Sequence, residues 1–141
     1  MTELEGTYSH KIDAKGRLSL PADFRKVLSP ELKMVISPLG DCLMVFEPDN
    51  YNAWVESLFE AKGGFSAANR EFAALRKILY SRVKHCEIDA SGRINIPADQ
   101  REKAGLGKDV LIIGDADHFE VWDEKRWDAF CSEHDLASLM S

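Results

Sequence analysis

The sequence predicts an α+β, β-rich fold in which two similar repeats share one hydrophobic core. First, the stretch KIDAKGRLSLPADFR (residues 11–25) reappears as EIDASGRINIPADQR (residues 87–101), at an offset of 76 positions. Second, the same offset aligns the chain without a gap as far as Ala53 and Ala129. Third, a repeat of roughly fifty residues is too short to bury enough apolar surface alone, so the two repeats must pack together.

Each repeat opens with a strand, a tight turn and a second strand. The strands are YSHKI and RLSL in the first repeat, and KHCEI and RINI in the second. Aliphatic residues at alternate positions are typical of strands with one buried face. Each turn, DAKG or DASG, has an aspartate that can cap it and a glycine that can take a positive φ.

A short helix follows the second strand in each repeat. Pro21 and Pro97 are predicted at its first position, where a missing N–H costs nothing, and Gly105 ends the second copy. Two strands joined by a hairpin loop come next: MVIS and CLMVF, then VLIIG and HFEVW. A last helix, beginning near Asp49 or Asp123, completes each repeat.

A helix over residues 66–82, with Ser66 as its N-cap, is predicted between the repeats and has no second copy. Four residues at helical spacing predict that it packs on the domain rather than on a partner: Phe72, Leu75, Leu79 and Val83. The predicted organisation is a first repeat (6–62), a linking helix (63–81), a second repeat (82–132) and a flexible tail (133–141).

The composition excludes several classes of protein. No apolar run approaches the ~20 residues that cross a membrane, and the acidic start MTELEG is unlike a secretory signal, so a cytoplasmic location is expected. The three cysteines are widely spaced and show no zinc pattern, and His85 and Cys86 would point to opposite faces of a strand. Neither a metal site, a disulfide nor a cofactor is predicted.

The distribution of charge matters more than the net charge of −6, which argues mildly against a nucleic-acid partner. From residue 109 to the end there are nine acids and two bases, whereas residues 69–84 contain five bases and one acid. The acidity is therefore concentrated in the C-terminal part, and the rest of the chain is free to meet an anion.

The repeated Asp-x-x-x-Arg motif has a structural and a functional interpretation. Structurally, Asp13 and Asp89 shape their turns, while Arg17 and Arg93 pair with these acids or with the aspartates of the following helices. Folding alone, however, does not require arginine at the far end of both turns. A rigid two-stranded turn with a protruding arginine suits the DNA major groove, where a guanidinium can meet guanine O6 and N7 together.

Under the functional interpretation, different residues of the turns contact the bases and the phosphates of DNA. Arg17 and Arg93 contact bases, and Lys15, which Ser91 replaces in the second turn, contacts phosphate. Backbone N–H groups of the turns, which Gly16 and Gly92 complete, are expected to meet phosphate oxygens as well. Three further bases are expected near phosphates: Lys11, Arg25 and Lys26.

Two other functions have weaker support. An enzyme could use Asp13 and Asp89 as a carboxylate pair across a pseudo-two-fold axis, but no catalytic triad, phosphate loop or metal motif accompanies them. An oligomeric scaffold without DNA binding would instead depend on its aromatic residues. Four of these recur at or near matching positions, which favours core packing: Phe46, Trp54, Trp122 and Trp127.

The tandem phrases DAKGRLSLPADFR and DASGRINIPADQR, with CLMVFEPDNYNAW and HFEVWDEKRWDAF, closely resemble the MraZ family of bacteria. The resemblance spans residues 6–130. It implies two tandem AbrB-like swapped-hairpin repeats forming one pseudo-two-fold β-barrel core with flanking helices. It also implies a regulator of the division and cell-wall gene cluster, which usually includes its own gene. Such proteins assemble as rings and bind short direct repeats of double-stranded DNA on the nucleoid.

Overall fold

The computed structural model describes residues 3–141, in which eight strands and six helices are formed. The strands are β1 (Thr7–Lys11), β2 (Arg17–Ser19), β3 (Glu31–Ile36), β4 (Leu43–Phe46), β5 (Lys84–Glu87), β6 (Arg93–Asn95), β7 (Asp109–Gly114) and β8 (His118–Asp123). The helices are α1 (Ala22–Val27), α2 (Pro48–Glu60), α3 (Arg70–Ser81), α4 (Ala98–Lys103), α5 (Glu124–Glu133) and α6 (Leu136–Met140).

The main sheet interleaves the two repeats. Its strand order is β1-β7-β8-β4-β3-β5, and every neighbouring pair is antiparallel. Exchanging each strand for its counterpart in the other repeat only reverses this order, which is the signature of a pseudo-two-fold axis. The first strand of each repeat therefore pairs with the other repeat, β1 with β7 and β5 with β3.

A second, two-stranded sheet joins the outer edges of the main sheet. It pairs β2 with β6, one strand from each repeat, and we call it the ribbon. Tight turns connect β2 to the outer strand β1 and β6 to the outer strand β5, so the ribbon bridges from one edge of the main sheet to the other. Two hydrogen bonds extend its pairing: Leu20 N–H donates to Gly92 O, and Ile96 N–H donates to Gly16 O.

Alternation along the strands produces a hydrophobic cluster on each face of the main sheet. On β4, Leu43 and Val45 point into the cluster beneath the ribbon, whereas Met44 and Phe46 point into the cluster beneath α2. The ribbon contributes Leu18 to the first cluster, with Ile94 beside it on the paired strand, and both side chains are fully buried. The ribbon thus covers one face of the sheet, and the longer helices pack on the other.

These observations confirm the predicted α+β, β-rich fold built from two repeats around a shared core. Phe46 and Trp122 are buried in the second cluster, and Trp54 and Trp127 pack against it. The four repeated aromatic residues are therefore packing residues, as the pattern predicted. The limits of the two repeats and of the linking segment stay predictions.

Several local predictions were wrong by a few residues. Pro21 and Pro97 are the N-caps of α1 and α4 rather than their first helical residues. Asn69, not Ser66, caps α3, because its side chain accepts a hydrogen bond from the Phe72 N–H, and the helix begins at residue 70. Of the predicted apolar stripe on α3, only Leu75 stays clear of the second cluster.

The C-terminal segment predicted to be a flexible tail contains the short helix α6. Asp135 caps it by accepting a hydrogen bond from the Ser138 N–H, and all of its side chains are exposed. Within residues 3–141, none of the helices has both the length and the apolar character that a membrane span requires.

Candidate nucleic-acid interface

The turn of the first repeat is organised by the carboxylate of Asp13. Its Oδ1 atom accepts hydrogen bonds from the backbone N–H groups of Lys15 and Arg17, both at 2.9 Å. Its Oδ2 atom accepts a hydrogen bond from Arg17 Nε at 2.7 Å. The Gly16 N–H donates to the Asp13 carbonyl at 3.0 Å and closes the turn. Asp13 therefore fixes both the backbone of the turn and the base of the arginine side chain.

The turn of the second repeat has the same backbone arrangement. Asp89 Oδ1 accepts from the N–H groups of Ser91 at 2.8 Å and Arg93 at 3.0 Å, and the Gly92 N–H donates to the Asp89 carbonyl at 2.9 Å. The side chain of Arg93 is held less closely. Its Nε lies 3.4 Å from Asp89 Oδ2, in an ion pair without a hydrogen bond.

Glycine is required in both turns, and each glycine meets the other repeat. Gly16 has φ 85° and Gly92 has φ 78°, in the left-handed region that favours glycine. A Cβ on Gly16 would lie 2.5 Å from the carbonyl oxygen of Ile96, whereas a Cβ on Gly92 would meet the side chain of Arg25. Arg101, the counterpart of Arg25, lies over Gly16 in the same way. Each short helix thus covers the turn of the opposite repeat.

Arg17 and Arg93 lie on one surface. Ribbon pairing places Arg17 opposite Asn95 and Arg93 opposite Ser19, and directly opposed residues point to the same side of a sheet. Leu18 and its partner on β6 fill the inner side, so these four residues face outward. The arginines are diagonal neighbours, for which Cα atoms lie roughly 7–8 Å apart. We call this surface the ribbon face.

The guanidinium groups of the ribbon face are half-exposed and keep free donors. The side chains of Arg17 and Arg93 are 37% and 31% exposed. Within the described residues, the Nη atoms of neither arginine form a hydrogen bond. Lys15 is exposed and pairs with no acid of that part of the chain. The terminal nitrogens are therefore available to an external acceptor.

The two turn aspartates are stabilised in their charged form. The backbone hydrogen bond from Arg17, with further hydrogen bonds from its side chain and from Lys15, lowers the pKa of Asp13. The backbone hydrogen bond from Arg93 likewise lowers the pKa of Asp89. Because the folded pKa is depressed, the stabilising contribution is present above the ordinary pKa of about 4 and is lost as the pH falls through the lower folded value.

The structure corrects the prediction about the turn N–H groups, and it places an acid beside one of the bases expected near phosphate. The N–H groups of Lys15, Gly16 and Arg17 are all bonded to Asp13, so the expectation that they meet phosphate is wrong for these three. Lys11 Nζ lies 2.7 Å from Asp109 Oδ1, so this base is already paired with an acid. The N–H groups of Lys15 and Arg17 thus hold the carboxylate of Asp13, which in turn pairs with the Arg17 side chain.

The other expected bases differ in their surroundings. The side chain of Arg25 lies over Gly92, while Lys26 Nζ is highly exposed and 3.9 Å from Asp23. Asp23 and Asp99 do not pair with Arg17 or Arg93, which pair with the turn acids instead. Of the alternatives left by the sequence, the pairing within each turn is therefore the one formed.

Asp13 and Asp89 do not form a carboxylate pair. They lie at opposite ends of the ribbon, because the two strands that follow them run antiparallel, and each is engaged by its own arginine. The geometry expected for paired acid and base catalysis is therefore not formed by these two residues.

Two side chains of this surface were not predicted from the sequence. Asn95 Nδ2 donates to the Lys15 carbonyl at 3.0 Å and braces the first turn from the opposite repeat. Ser19, which lies opposite Arg93, is the other outward residue of the ribbon face. Their spacing could have identified them, because each lies two residues after an arginine of the motif and residues at i and i+2 of a strand share a face.

Comparisons with known proteins identify one family whose sequence model matches most of the chain. The sequence model of one family, described as "MraZ protein, putative antitoxin-like", matches residues 4–74 and 79–141. A protein of Limosilactobacillus reuteri named transcriptional regulator MraZ is 39% identical over 130 residues, which cover 92% of this chain and 88% of that protein. A protein of the same name from Syntrophobacter fumaroxidans is 37% identical, over 88% of this chain and 81% of its own length. Another from Ligilactobacillus salivarius is also 37% identical, over 91% of this chain and 86% of its own length.

Proposed function

The chain belongs to the MraZ family, and from that premise we propose that it regulates the bacterial division and cell-wall gene cluster, including its own gene, by sequence-specific binding to DNA. Its curated relatives are named transcriptional regulators, which confirms the prediction of a regulator and not an enzyme. The proposed target is a set of short direct repeats upstream of the cluster. The proposed assembly is a ring-shaped homo-oligomer that acts in the cytoplasm, on the nucleoid.

The ribbon face carries this proposal. It is a two-stranded antiparallel ribbon with an arginine from each repeat on its outward side, and the major groove of B-form DNA admits such a ribbon. Asp13 engages Nε of Arg17 and leaves the two Nη atoms unbonded, so a planar pair of donors stays available on a partly exposed side chain. That pair matches the O6 and N7 acceptors of guanine.

Each residue of the turns has a defined part in the proposal. Arg17 and Arg93 contact bases, and Lys15 contacts a phosphate. Gly16 and Gly92 allow the chain to turn sharply beneath the covering arginine of the opposite repeat. The two aspartates shape the turns and hold the arginines without touching DNA. Since one ribbon reads few bases, several ribbons on one ring would multiply the effective concentration at a repeated target.

The experiment is a binding assay of the full chain against the DNA directly upstream of its own gene. We expect the double variant Arg17→Ala, Arg93→Ala to lose at least about thirtyfold in affinity, because each arginine that contacts a base is worth ~1–3 kcal/mol. Raising the salt concentration should weaken the wild-type complex, and changing the bases of one repeat should weaken it further.

A matched control removes an arginine elsewhere. Arg70 is exposed in the first turn of α3, which packs on the opposite face of the main sheet from the ribbon. Arg70→Ala changes the net charge as one ribbon substitution does and should keep nearly full affinity. If the double variant folds and assembles yet binds its DNA normally, the assignment of the ribbon face is wrong. If the wild-type chain assembles but binds no DNA at any salt concentration, the scaffold alternative is favoured.

A further inference from the structure

A compact group of one imidazole and three carboxylates lies on the β7–β8 hairpin, away from the ribbon face. It consists of Asp115, Asp117, His118 and Glu120, and we call it the hairpin cluster. His118 is only 5% exposed, and its ring stacks on Phe46 in the second hydrophobic cluster, with 4.5 Å between ring centroids. The group therefore lies on the face of the main sheet that carries α2.

Three ligand atoms of this cluster converge on one point. His118 Nε2 is 2.8 Å from Glu120 Oε2 and 3.6 Å from Asp115 Oδ2, and the three groups offer ligand atoms that all lie within 4.8 Å of one another. Metal bonds to nitrogen and oxygen are about 2.0–2.2 Å long, so two ligands of one ion are about 3.0–3.5 Å apart at right-angled to tetrahedral geometry. The two separations measured from His118 Nε2 are already close to these values.

Both inner ligands are oriented by further hydrogen bonds. The second ring nitrogen of His118, Nδ1, is 2.8 Å from Asp117 Oδ1. The second oxygen of Glu120, Oε1, accepts hydrogen bonds from Trp122 Nε1 at 2.9 Å and from Cys42 Sγ at 3.6 Å. A carboxylate on the far nitrogen of a histidine, and hydrogen bonds to the far oxygen of a carboxylate, are the usual supports of metal ligands.

The charges of the cluster call for a cation. Three carboxylates surround one imidazole, and no lysine or arginine of residues 3–141 forms an ion pair with them. A divalent ion would neutralise more of this charge than a single proton on the imidazole does.

We propose that His118, Asp115 and Glu120 bind a divalent transition-metal ion of the class of Zn²⁺ or Mn²⁺, with water completing the coordination. A mixed set of one imidazole nitrogen and two carboxylate oxygens suits such ions. The site is independent of the ribbon face, and its role is to tie the β7–β8 loop to the sheet. This proposal contradicts the prediction, made from the cysteine spacings, that the chain has no metal site. The cysteine spacings do not reveal that His118 and Glu120 lie at alternate positions of β8 and therefore share a face.

The test is calorimetric titration of the chelator-treated full chain with Zn²⁺, Mn²⁺ and Mg²⁺, together with a Co²⁺ absorption spectrum. We expect one tightly bound transition-metal ion per chain and much weaker binding of Mg²⁺. Asp115→Asn should weaken Zn²⁺ binding at least tenfold, and it should fold normally because this side chain is 62% exposed. Asp117→Asn should weaken binding about tenfold or more through the orientation of His118.

Asp41 provides the matched control, because it lines the same shallow groove as Asp115 and Glu120 but is outside the cluster. Asp41→Asn should bind Zn²⁺ as the wild-type chain does. Three results would overturn the proposal: no uptake of Zn²⁺ or Mn²⁺, uptake unchanged in Asp115→Asn, or equal losses in Asp115→Asn and Asp41→Asn. The second would place the ion elsewhere, for example on the exposed Cys131, and the third would indicate unspecific attraction to acids.

Discussion

The turns of the two repeats share a backbone but hold their arginines differently. In both, an aspartate accepts two backbone N–H groups, and a glycine closes the turn. Arg17 Nε then donates a hydrogen bond of 2.7 Å, whereas Arg93 Nε is 3.4 Å from its acid, buried and without a hydrogen bond. The hydrogen bonds of the backbone are thus the same in both turns, whereas the contact between the arginine side chain and its aspartate differs.

The surroundings of the first turn also hold it more firmly than those of the second. The first turn has Lys15 where the second has Ser91, and Asn95 reaches across the ribbon to the Lys15 carbonyl at 3.0 Å. Ser19 occupies the position equivalent to Asn95, and within residues 3–141 its shorter side chain makes no such bond. The first turn is therefore the better braced and the more positively charged of the two.

The largest expected effect concerns the two glycines. Gly16→Ala would place a methyl group 2.5 Å from a backbone carbonyl that cannot move cheaply, in addition to the cost of a positive φ. We expect it to lower the free energy of unfolding by about 3 kcal/mol or more. Gly92→Ala would meet only the flexible side chain of Arg25, so we expect about 1–2 kcal/mol, measured for both by urea denaturation.

Gly40 isolates the backbone contribution to these values. It has φ 72°, and a Cβ there would meet nothing within 4 Å, so Gly40→Ala should cost only about 1 kcal/mol. Equal losses in Gly16→Ala and Gly92→Ala would mean that the carbonyl of Ile96 yields as readily as the side chain of Arg25, and the two turns would then be packed alike.

The next effect in size is the contribution of each arginine to DNA binding. On the proposed function, Arg17→Ala should cost more affinity than Arg93→Ala, at the upper part of the ~1–3 kcal/mol range, because Asp13 pre-organises Arg17. Fluorescence anisotropy on the same DNA duplex measures both. A larger loss in Arg93→Ala, in a protein that melts normally, would reverse the ranking of the turns.

The smallest expected effect is that of exchanging the exposed third residue of each turn between the two repeats. Lys15→Ser should weaken binding to all DNA sequences alike and reduce the slope of log K against log salt by about 1, since one phosphate contact is lost. Ser91→Lys should raise affinity and steepen that slope. Both side chains are exposed, so thermal melting should not change. A change in base preference in either variant would show that this position does more than contact phosphate.

Local features of the fold followed from the sequence because they depend on local patterns. Alternating aliphatic residues located the strands, and the unbroken register of the repeat predicted that both halves would form the same elements. The cap of α3 was harder to predict, since Ser66 and Asn69 are both favourable N-cap residues and lie three positions apart.

Contacts between the repeats could not be predicted in the same way. No periodicity indicates that Arg25 covers Gly92, that Asn95 braces Lys15, or that Asp109 pairs with Lys11. These contacts depend on which strands become neighbours in the sheet. The candidate residues could therefore be named from the motif, whereas their shared surface became visible only when the ribbon was assembled.

On the proposed function, the origin of the ribbon from two different halves of one chain affects the kind of DNA sequence that it would read. A homodimer built from half-length chains would present two identical edges and would be confined to palindromic targets. Fusion of the halves removes that constraint, because each edge can mutate alone while their spacing stays fixed. If the ribbon binds DNA as proposed, its asymmetric surface would give the DNA site a direction.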